Sequence, residues 1–374
     1  MLTIGIDIRS LLHAPRTGVG EYIHGFVQAL FTHHPEHRYI LFTNSAKSGS
    51  ASIPPGWRSY FFETHVPNKF FQSAVCVLGY PQMDAMIRKH VGELDVFFSP
   101  NLNATCVSEK TYFVLTIHDL SFALFPGYFS RKHRLWHRLI HPEHQVARAD
   151  VILTPSAHTK QDIVSYYGVR PAKVHVAYPG LPIHEENPVL PHQLPEKYIL
   201  FLGTIEERKN ADGVIAAFLL WKKLQPKAAE AYHLILAGAS GHGGKKICER
   251  ASRFDTIRYL GYIPDAAKMA LYRQASAFVY PSFYEGFGFP VLEAFAAGTP
   301  VITSNRTSLP EVGGDAAYLV NPYNIREIAD GIHALVSDNQ LRTWYREHGR
   351  ARASQFSWKS ATDVFFESLY ENRH

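Results

Sequence analysis

The sequence has few cysteines and no long apolar run. Its three cysteines, Cys76, Cys106 and Cys248, are widely separated and form neither a C-x-x-C pair nor a metal-ligand spacing. We therefore expect buried, reduced thiols rather than a disulfide framework or a zinc site. No apolar run approaches the ~18 to 20 residues that span a bilayer, and the N-terminus has no basic leader. The expected location is the cytoplasm.

Several functional motifs are absent as well. The modest net charge of +5 would allow a nucleic-acid partner, but there is no helix-turn-helix, zinc finger or RRM-like motif. We therefore expect no nucleic-acid partner. Anionic substrates or an anionic membrane surface account for that charge. No D-x-D triplet occurs, and we expect no divalent metal. After the first strand, the sequence predicts a glycine-containing turn over residues 16–21 and then a helix from Tyr22 to His33. Gly18-x-Gly20 lacks the third glycine of the dinucleotide fingerprint, and no acidic residue closes the next strand, which disfavours NAD.

The composition is that of a globular protein of two domains. The 374 residues exceed what one core usually supports, and 46% are hydrophobic. Apolar strands alternate with helical patterns, which is typical of a doubly wound α/β fold. The predicted segments are a first domain at 1–180, a proline-rich linker at 181–196, a second domain at 197–354 and a terminal helix at 355–374.

The stretch from Pro281 to Glu293 has the pattern of an anion site. An apolar strand runs into a turn that contains Gly286 and Gly288, and a helix follows. Backbone N–H groups at a helix start lack intrahelical partners, and the peptide dipoles make that end partly positive, so a phosphate fits there. Glu285 and Glu293 flank the turn, and such acceptor-only carboxylates suit sugar hydroxyls. The alternative is a capped helix without a ligand.

A second candidate follows the strand that ends in Gly203. Its adjacent cations can close on a diphosphate, Arg208 through a forked pair of hydrogen bonds and Lys209 as a point charge. Asn210 is placed as the cap of the next helix. Ordinary surface charge is the alternative.

His118 stands at the end of the apolar strand from Tyr112 to Ile117. Ligands of open α/β sheets lie beyond the carboxyl ends of the strands, which favours a functional histidine here. The alternative is a structural histidine with satisfied hydrogen bonds. Asp119 either orients the imidazole ring or caps the next segment.

The stretch from Tyr128 to Arg148 is unusually basic. Five arginines and lysines and four histidines accompany a single acid, Glu143. On one helix, these cations would surround a stripe made of Phe129, Lys132, Trp136 and Ile140. Such a helix can lie on an anionic membrane surface. The alternative is a solvated basic face whose apolar stripe packs on the sheet.

Taken together, these motifs resemble those of glycosyltransferase family 4, whose members are retaining enzymes of the GT-B fold. The resemblance is carried by Glu285-Gly286-Phe287-Gly288 with Glu293, by Gly298-Thr299-Pro300-Val301-Ile302, and by Gly203-Thr204-x-Glu206-x-Arg208-Lys209-Asn210. The last run is similar to that of bacterial polysaccharide and O-antigen mannosyltransferases. The resemblance implies two Rossmann-like domains facing each other across a cleft. It also implies a C-terminal helix that crosses back to the first domain.

The resemblance further implies roles for individual residues. Glu285 would hold hydroxyls of the transferred sugar, and Glu293 would hold the ribose. The expected catalytic set is His118, Glu285, Arg208 and Lys209. The expected donor-binding set is Gly18, Val19, Gly20, Gly203, Thr204, Arg208, Lys209, Tyr262, Ile263, Glu285, Gly286, Phe287, Gly288, Leu292 and Glu293. No metal ligand and no other cofactor is expected.

The implied activity is metal-independent transfer of a hexose to a saccharide or lipid-linked saccharide acceptor in cell-surface polysaccharide synthesis. GDP-mannose is the expected donor and mannose the transferred sugar. The expected location is the cytoplasm, and peripheral contact with the inner face of the plasma membrane is a further hypothesis. A UDP-sugar is the near alternative, because it differs only in base and hydroxyl contacts. A non-enzymatic sugar-binding protein is disfavoured, since a neutral sugar does not need the Arg208–Lys209 pair.

Overall fold

A computed structural model describes residues 1–12, 18–44, 57, 61–182 and 194–371. The chain divides into two compact units. The first unit comprises Met1–Leu124, Ser130–Gly180 and Ser357–His374, and the second comprises Phe125–Phe129 and Leu181–Phe356. Most of the predicted linker, 183–193, lies outside the described residues.

The first unit is built on a parallel sheet of seven strands. They are β1 (Thr3–Asp7), β2 (Arg38–Asn44), β3 (Phe61–Thr64), β4 (Val96–Ser99), β5 (Tyr112–Thr116), β6 (Val151–Thr154) and β7 (Val174–Val176). Their order is β3-β2-β1-β4-β5-β6-β7. Ile4 of β1 pairs with both Tyr39 and Val96, so the strand order changes direction between β1 and β4. The strands are nearly continuous apolar runs because helices cover both faces of such a sheet.

Among the described residues of the first unit, seven helices connect these strands. They are α1 (Gly18–His33), α2 (Asn68–Leu78), α3 (Met83–Val91), α4 (Ser121–Leu124), α5 (Arg131–Leu139), α6 (Pro142–Arg148) and α7 (Ala157–Tyr167). In α1, Ile23, Phe26, Val27 and Leu30 recur at helical spacing and are fully buried. Burial of this stripe stabilises the helix against the sheet.

The second unit holds a parallel sheet of six strands. They are β8 (Lys197–Leu202), β9 (Tyr232–Ala237), β10 (Ile257–Tyr259), β11 (Ala277–Tyr280), β12 (Val301–Ser304) and β13 (Tyr318–Val320). Their order is β10-β9-β8-β11-β12-β13. Both units therefore have the doubly wound α/β topology predicted from the sequence, and that prediction is confirmed.

In the described part of the second unit, eight helices accompany the sheet. They are α8 (Ala211–Leu224), α9 (Pro226–Ala229), α10 (Gly244–Ala251), α11 (Asp265–Gln274), α12 (Phe289–Ala297), α13 (Leu309–Gly313), α14 (Ile325–Ser337) and α15 (Asn339–Ala353). α12 is apolar on most sides, with Val291, Leu292 and Phe295 fully buried in the core. It ends at Gly298, whose φ of 73° is the left-handed conformation that commonly terminates helices.

The last helix, α16 (Trp358–Glu371), belongs to the first unit. The Trp358 indole lies so close to α1 that a Cβ on Gly25 would stand 2.2 Å from it. Phe365 of the same helix contacts the rings of Phe26 and Phe98, with centroids 5.9 and 5.1 Å apart. The predicted return of the C-terminal helix to the first domain is confirmed.

Candidate functional site

The residues predicted to bind phosphate and sugar lie together beyond the carboxyl ends of two neighbouring strands of the second sheet. β8 and β11 are neighbours, with Ala277 paired to Ile199, and the strand order reverses between them. Loops that leave the carboxyl ends of two such strands diverge and leave room for a ligand. The loop after β8 carries Arg208 and Lys209, and the loop after β11 carries Glu285.

The Arg208 guanidinium lies between two carboxylates. Nη1 donates to Glu285 Oε2 at 3.1 Å and to the Tyr284 carbonyl at 2.7 Å. Nη2 donates to Glu206 Oε1 at 2.9 Å. The backbones of the two loops are also joined, because the Phe283 N–H donates to the Arg208 carbonyl at 2.9 Å. Contacts from both loops therefore fix the position of this cation.

The Lys209 ammonium is held by a buried tyrosine. Its Nζ donates to the Tyr280 hydroxyl at 2.7 Å and lies 3.7 Å from Glu285 Oε1. Tyr280 is fully buried at the end of β11, beside the rings of Phe201 and Phe278. The lysine is thus anchored at the same carboxylate as Arg208.

Glu285 is the centre of this cluster. Its Oε1 accepts hydrogen bonds from the Tyr280 hydroxyl at 2.7 Å and from Ser282 Oγ at 3.1 Å. Burial alone would raise the pKa of this carboxyl, but Arg208 and Lys209 outweigh it and lower the pKa to about 2. The group is therefore ionised at neutral pH. Because each carboxylate oxygen accepts about two hydrogen bonds, the accepting capacity of Oε1 is filled, whereas Oε2 can accept one further hydrogen bond.

The loop from Gly286 to Gly288 leads directly into α12, as the sequence predicts. Gly288 has a φ of 119°, and a Cβ there would stand 2.7 Å from Leu309 Cδ2, so this position requires glycine. Ser308 Oγ donates to the carbonyls of Glu285 and Phe287 at 2.9 and 2.8 Å. These bonds turn the loop carbonyls toward the protein, while the positive end of the α12 dipole faces the loop.

Glu293 is buried on α12 and does not stand in the Glu285 cluster. Its Oε2 accepts a hydrogen bond from the Tyr272 hydroxyl at 2.9 Å. The neighbouring Leu292 side chain is fully buried in the core, and its backbone N–H donates to the Gly288 carbonyl at 3.4 Å, so the structure offers no group of Leu292 for the predicted donor contact. The phenyl ring of Phe287 is likewise buried, with its centroid 5.6 Å from that of Phe356.

The remaining predicted residues of the β8 loop differ in their surroundings. Gly203 has a φ of 155°, and a Cβ there would stand 3.2 Å from the Tyr280 ring. Thr204 is exposed. Asn210 is the N-cap residue of α8, as predicted, but its side chain makes no capping hydrogen bond. Its amide donates instead to the carbonyls of Pro281 and Pro322 at 3.1 and 2.7 Å. Asn210 thus ties the β8 loop to the β11 loop.

Tyr262 and Ile263 follow β10 on the same sheet. The Tyr262 side chain is 49% exposed, whereas that of Ile263 is buried in the core. The predicted donor contact of Ile263 could therefore be made only through its backbone.

The structure also shows contacts made by residues for which the sequence predicted no role. These are Glu206, Tyr272, Tyr280, Ser282 and Ser308. Tyr280 and Ser282 could have been found from the sequence. Tyr280 ends the strand that leads into the loop of Glu285, and Ser282 lies in that loop, so both hydroxyls are expected near the carboxylate. Tyr272 could not have been found, since its contact depends on how α11 packs against α12.

Comparison with known proteins places this chain in a family. The model of the family "Glycosyltransferase Family 4" matches residues 16–185, and that of "Glycosyl transferases group 1" matches residues 183–352. O-antigen chain mannosyltransferase B of Escherichia coli is 37% identical over 280 residues, which cover 71% of this chain and 72% of that protein. The chain belongs to the group 1 glycosyltransferases.

Solved structures confirm the fold of this glycosyltransferase. Sucrose-phosphate synthase from Thermosynechococcus elongatus superimposes with a TM-score of 0.72 at 17% identity, covering 99% of this chain and 98% of that one. Anabaena HepE in complex with UDP and glucose gives a TM-score of 0.70 at 17% identity, covering 99% and 100%. The predicted GT-B fold class is therefore correct.

In the first unit of the glycosyltransferase, His118 is partly buried. Its Nε2 lies 2.9 Å from the Pro100 carbonyl, which can only accept, so Nε2 carries the hydrogen. The Tyr22 ring meets the imidazole edge-on at 4.6 Å. Burial lowers the pKa of His118, so the ring is neutral at neutral pH. Its part in the reaction stays a prediction.

Asp119 serves the next segment rather than the imidazole of His118. Its Oδ1 accepts from the backbone N–H of Ser121 at 2.8 Å and from the Ser121 hydroxyl at 2.5 Å. Of the two alternatives left open by the sequence, the capping of α4 is the one the structure has.

Gly18, Val19 and Gly20 lie in the first turn of α1 and not in a glycine-rich loop before it. The prediction began this helix at Tyr22 and is wrong by one turn. Glycine lowers helix propensity but does not prevent a helix start, and the buried stripe of α1 stabilises the helix from Gly20 onward. The predicted loop residue Arg16 lies outside the described residues.

The basic stretch is two helices, not one. α5 ends at Leu139, His141 adopts a φ of 45°, and α6 begins at Pro142, which cannot continue the preceding helix. The predicted stripe is therefore broken, because Lys132 is exposed while Ile140 is buried. α5 nevertheless presents two exposed leucines, Leu135 and Leu139, beside its exposed cations Arg131, Lys132, Arg134 and Arg138.

The residues that the structure describes contain neither a membrane-spanning helix nor a cluster of metal ligands. No helix there is both long and apolar enough to cross a membrane. Within 1–12, 18–44, 57, 61–182 and 194–371, no three His, Cys, Asp or Glu side chains are grouped so that they could hold a metal ion.

Proposed function

We propose that this glycosyltransferase moves mannose from GDP-mannose to a saccharide or lipid-linked saccharide acceptor, with retention of configuration and without a metal. The observation that carries the proposal is the Arg208–Lys209–Glu285 cluster at the start of α12. The identity of the sugar is supported by the likeness to the E. coli O-antigen mannosyltransferase.

The cluster has one end suited to phosphate and one suited to sugar. Arg208, Lys209 and the positive end of the α12 dipole can stabilise the charge that develops on a departing diphosphate. Glu285 Oε2 accepts one hydrogen bond, from Arg208, and can accept one more, which a hydroxyl of the transferred sugar can supply. Glu293, on the next turn of α12, is assigned to the ribose.

In the proposed reaction, the bond between the sugar C1 and the diphosphate oxygen breaks, and the acceptor hydroxyl oxygen bonds to C1 from the same face. The acceptor proton passes to the departing phosphate oxygen. Glu285 accepts three hydrogen bonds and faces two cations, so it is poorly placed to attack C1 as a nucleophile. This favours departure and attack within an ion pair.

No metal is needed in this scheme, because Arg208 and Lys209 supply the positive charge at the phosphate. Two carboxylates, Glu206 and Glu285, balance these cations in the cluster. The donor phosphates must therefore compete with Glu206 for the Arg208 guanidinium. A UDP-sugar would use the same charges, and HepE, a solved structure of similar fold, is described in complex with UDP and glucose.

A donor assay tests the proposal. The protein is incubated in EDTA with GDP-mannose or UDP-glucose and a mannose-terminated oligosaccharide, and nucleoside diphosphate release and the new linkage are followed by NMR. We expect GDP release that depends on the acceptor and a product with the donor's anomeric configuration. Transfer from UDP-glucose alone would replace the donor, and an inverted linkage would refute retention. Absence of any transfer would refute the proposed activity.

We also propose that α5 contacts the anionic face of a membrane, where a lipid-linked acceptor would lie. Leu135 is 58% exposed and Leu139 is 42% exposed, one helical turn apart and among four exposed cations. An amphipathic basic helix of this kind gains both apolar burial and electrostatic attraction at such a surface.

Vesicle co-sedimentation tests this contact. Wild-type protein should pellet with vesicles that contain phosphatidylserine and not with pure phosphatidylcholine, and Arg131→Glu with Arg134→Glu should abolish pelleting. The matched control reverses two exposed arginines of the second unit, Arg253→Glu with Arg346→Glu, and should pellet as wild type does. Equal pelleting of both double variants, or none with anionic lipid at any salt concentration, would rule the contact out.

A further inference from the structure

Each glutamate of the site is bonded to its own buried tyrosine. Tyr280 donates to Glu285 Oε1 at 2.7 Å, and Tyr272 donates to Glu293 Oε2 at 2.9 Å. Both tyrosines are fully buried and sit on different elements, β11 and α11. A buried hydroxyl has one proton to donate, and when it donates to a carboxylate, the hydrogen bond fixes the orientation of that carboxylate.

The Tyr280 hydroxyl has a defined direction. The Lys209 ammonium can only donate, so the hydroxyl accepts from Lys209 at 2.7 Å and must give its own proton to Glu285. Burial and the neighbouring Glu285 raise the pKa of Tyr280 well above its ordinary value, so the hydroxyl stays protonated. One oxygen atom thus links the cation assigned to phosphate with the carboxylate assigned to sugar.

The position of Tyr272 is fixed by contacts of its backbone and its ring. The backbone carbonyl of Tyr272 accepts from Thr299 Oγ1 at 2.6 Å, and its ring meets Phe278 edge-on at 5.1 Å. The side chain therefore has little freedom to turn away from Glu293. No lysine or arginine takes part in the contacts described for this tyrosine, in contrast to Tyr280.

We propose that Tyr280 and Tyr272 are positioning residues, each acting through one glutamate. Tyr280 orients Glu285 toward the transferred sugar and couples it to Lys209, and Tyr272 orients Glu293 toward the nucleotide ribose. The inference rests on the proposed function for what the two glutamates bind. It predicts that the two tyrosines control different steps.

Loss of the Tyr280 hydroxyl should change the titration of Glu285. The charged and polar groups that face this carboxylate are Arg208 and Lys209 from the β8 loop, and Tyr280 and Ser282 from β11 and its loop. The Tyr280 hydrogen bond favours the ionised form, so its removal raises the pKa of Glu285 above about 2. The fall of the transfer rate on the acidic side of the pH–rate profile then occurs at higher pH.

The test compares Tyr280→Phe and Tyr272→Phe with Tyr198→Phe. Tyr198 is a matched control, because its buried hydroxyl donates to the Leu271 carbonyl at 2.7 Å and to no glutamate. We expect Tyr280→Phe to lower kcat by about 10-fold or more, which is the scale of one lost charge-assisted hydrogen bond. The same variant should shift the acidic side of the pH–rate profile to higher pH. Tyr272→Phe should weaken GDP binding by about 10-fold with kcat at saturating donor within about 3-fold. Tyr198→Phe should change neither.

Ser282→Ala is the second variant, in case Tyr280→Phe folds poorly. It removes the other hydroxyl on Glu285 Oε1 and should shift the acidic side of the pH–rate profile in the same direction with a smaller loss of kcat. The inference is overturned if both phenylalanine variants match Tyr198→Phe, or if their effects on kcat and on GDP affinity are exchanged.

The proposed function can fail separately. If the wild type binds GDP but transfers no mannose, the donor assignment fails, while the GDP affinity of Tyr272→Phe still decides the role of Tyr272. If the wild type binds no nucleotide, both the proposed function and this inference are overturned.

Discussion

Replacing Glu285 by alanine is expected to lower the rate of mannose transfer by at least ~100-fold, the scale of a lost transition-state contact. The change removes the acceptor of a sugar hydroxyl and also the carboxylate that holds Arg208 and Lys209 in place. Without it, two cations remain side by side in a mostly buried site. The readout is the initial rate of GDP release from GDP-mannose with acceptor present.

Glu285→Gln separates charge from shape. The amide keeps the size of the side chain but cannot balance Arg208 and Lys209, so this variant should be nearly as slow as alanine. The matched control is Glu347→Ala, an exposed glutamate on α15 of the same unit, which should transfer at the wild-type rate. Turnover of either Glu285 variant within about 3-fold of the control would remove Glu285 from the reaction.

Lys209→Ala is the second large effect, and we expect it too to cost at least ~100-fold in transfer rate. Lys209 supplies positive charge where the diphosphate leaves, and it donates to the Tyr280 hydroxyl that orients Glu285. Loss of the ammonium therefore weakens both ends of the site. The same release assay measures the rate, and calorimetry measures the accompanying loss of GDP affinity.

Lys223→Ala provides the control for this variant. Lys223 is an exposed lysine on α8, so its removal lowers the net charge equally without touching the cluster. If the two lysine variants behave alike, the charge of the whole protein and not the position of Lys209 governs the reaction. Lys209→Arg should recover little, because a planar guanidinium does not fit the single contact that the compact ammonium makes with Tyr280.

The meeting of Arg208, Lys209 and Glu285 was predictable from the sequence. Two apolar strands, each followed by a polar loop, predict ligands beyond the carboxyl ends of a doubly wound sheet, and the family motifs indicated which loops matter. The glycine turn before α12 was equally readable, since the turn and the helix start are local in sequence. Both features depend on residues that are close along the chain or on neighbouring strands.

Features that depend on packing were not predictable. Asn210 has the residue type of a helix cap, yet the nearness of two proline carbonyls gives its amide other acceptors. The partner of Glu293 lies on α11, and nothing in the sequence indicates how that helix meets α12. The break at His141 had a local signal in Pro142, but the regular spacing of the basic stretch favoured one helix over two.

The central claim is that the cluster around Glu285 binds a nucleoside diphosphate without a metal. Calorimetric titration of the wild type with GDP, UDP and ADP in EDTA tests it most directly. We predict saturable binding of GDP in EDTA, weaker binding of UDP and ADP, and at least ~10-fold weaker GDP binding by Lys209→Ala, as expected for a lost contact to a charged group. GDP binding that appears only after Mg²⁺ is added, or that Lys209→Ala leaves unchanged, would contradict the claim.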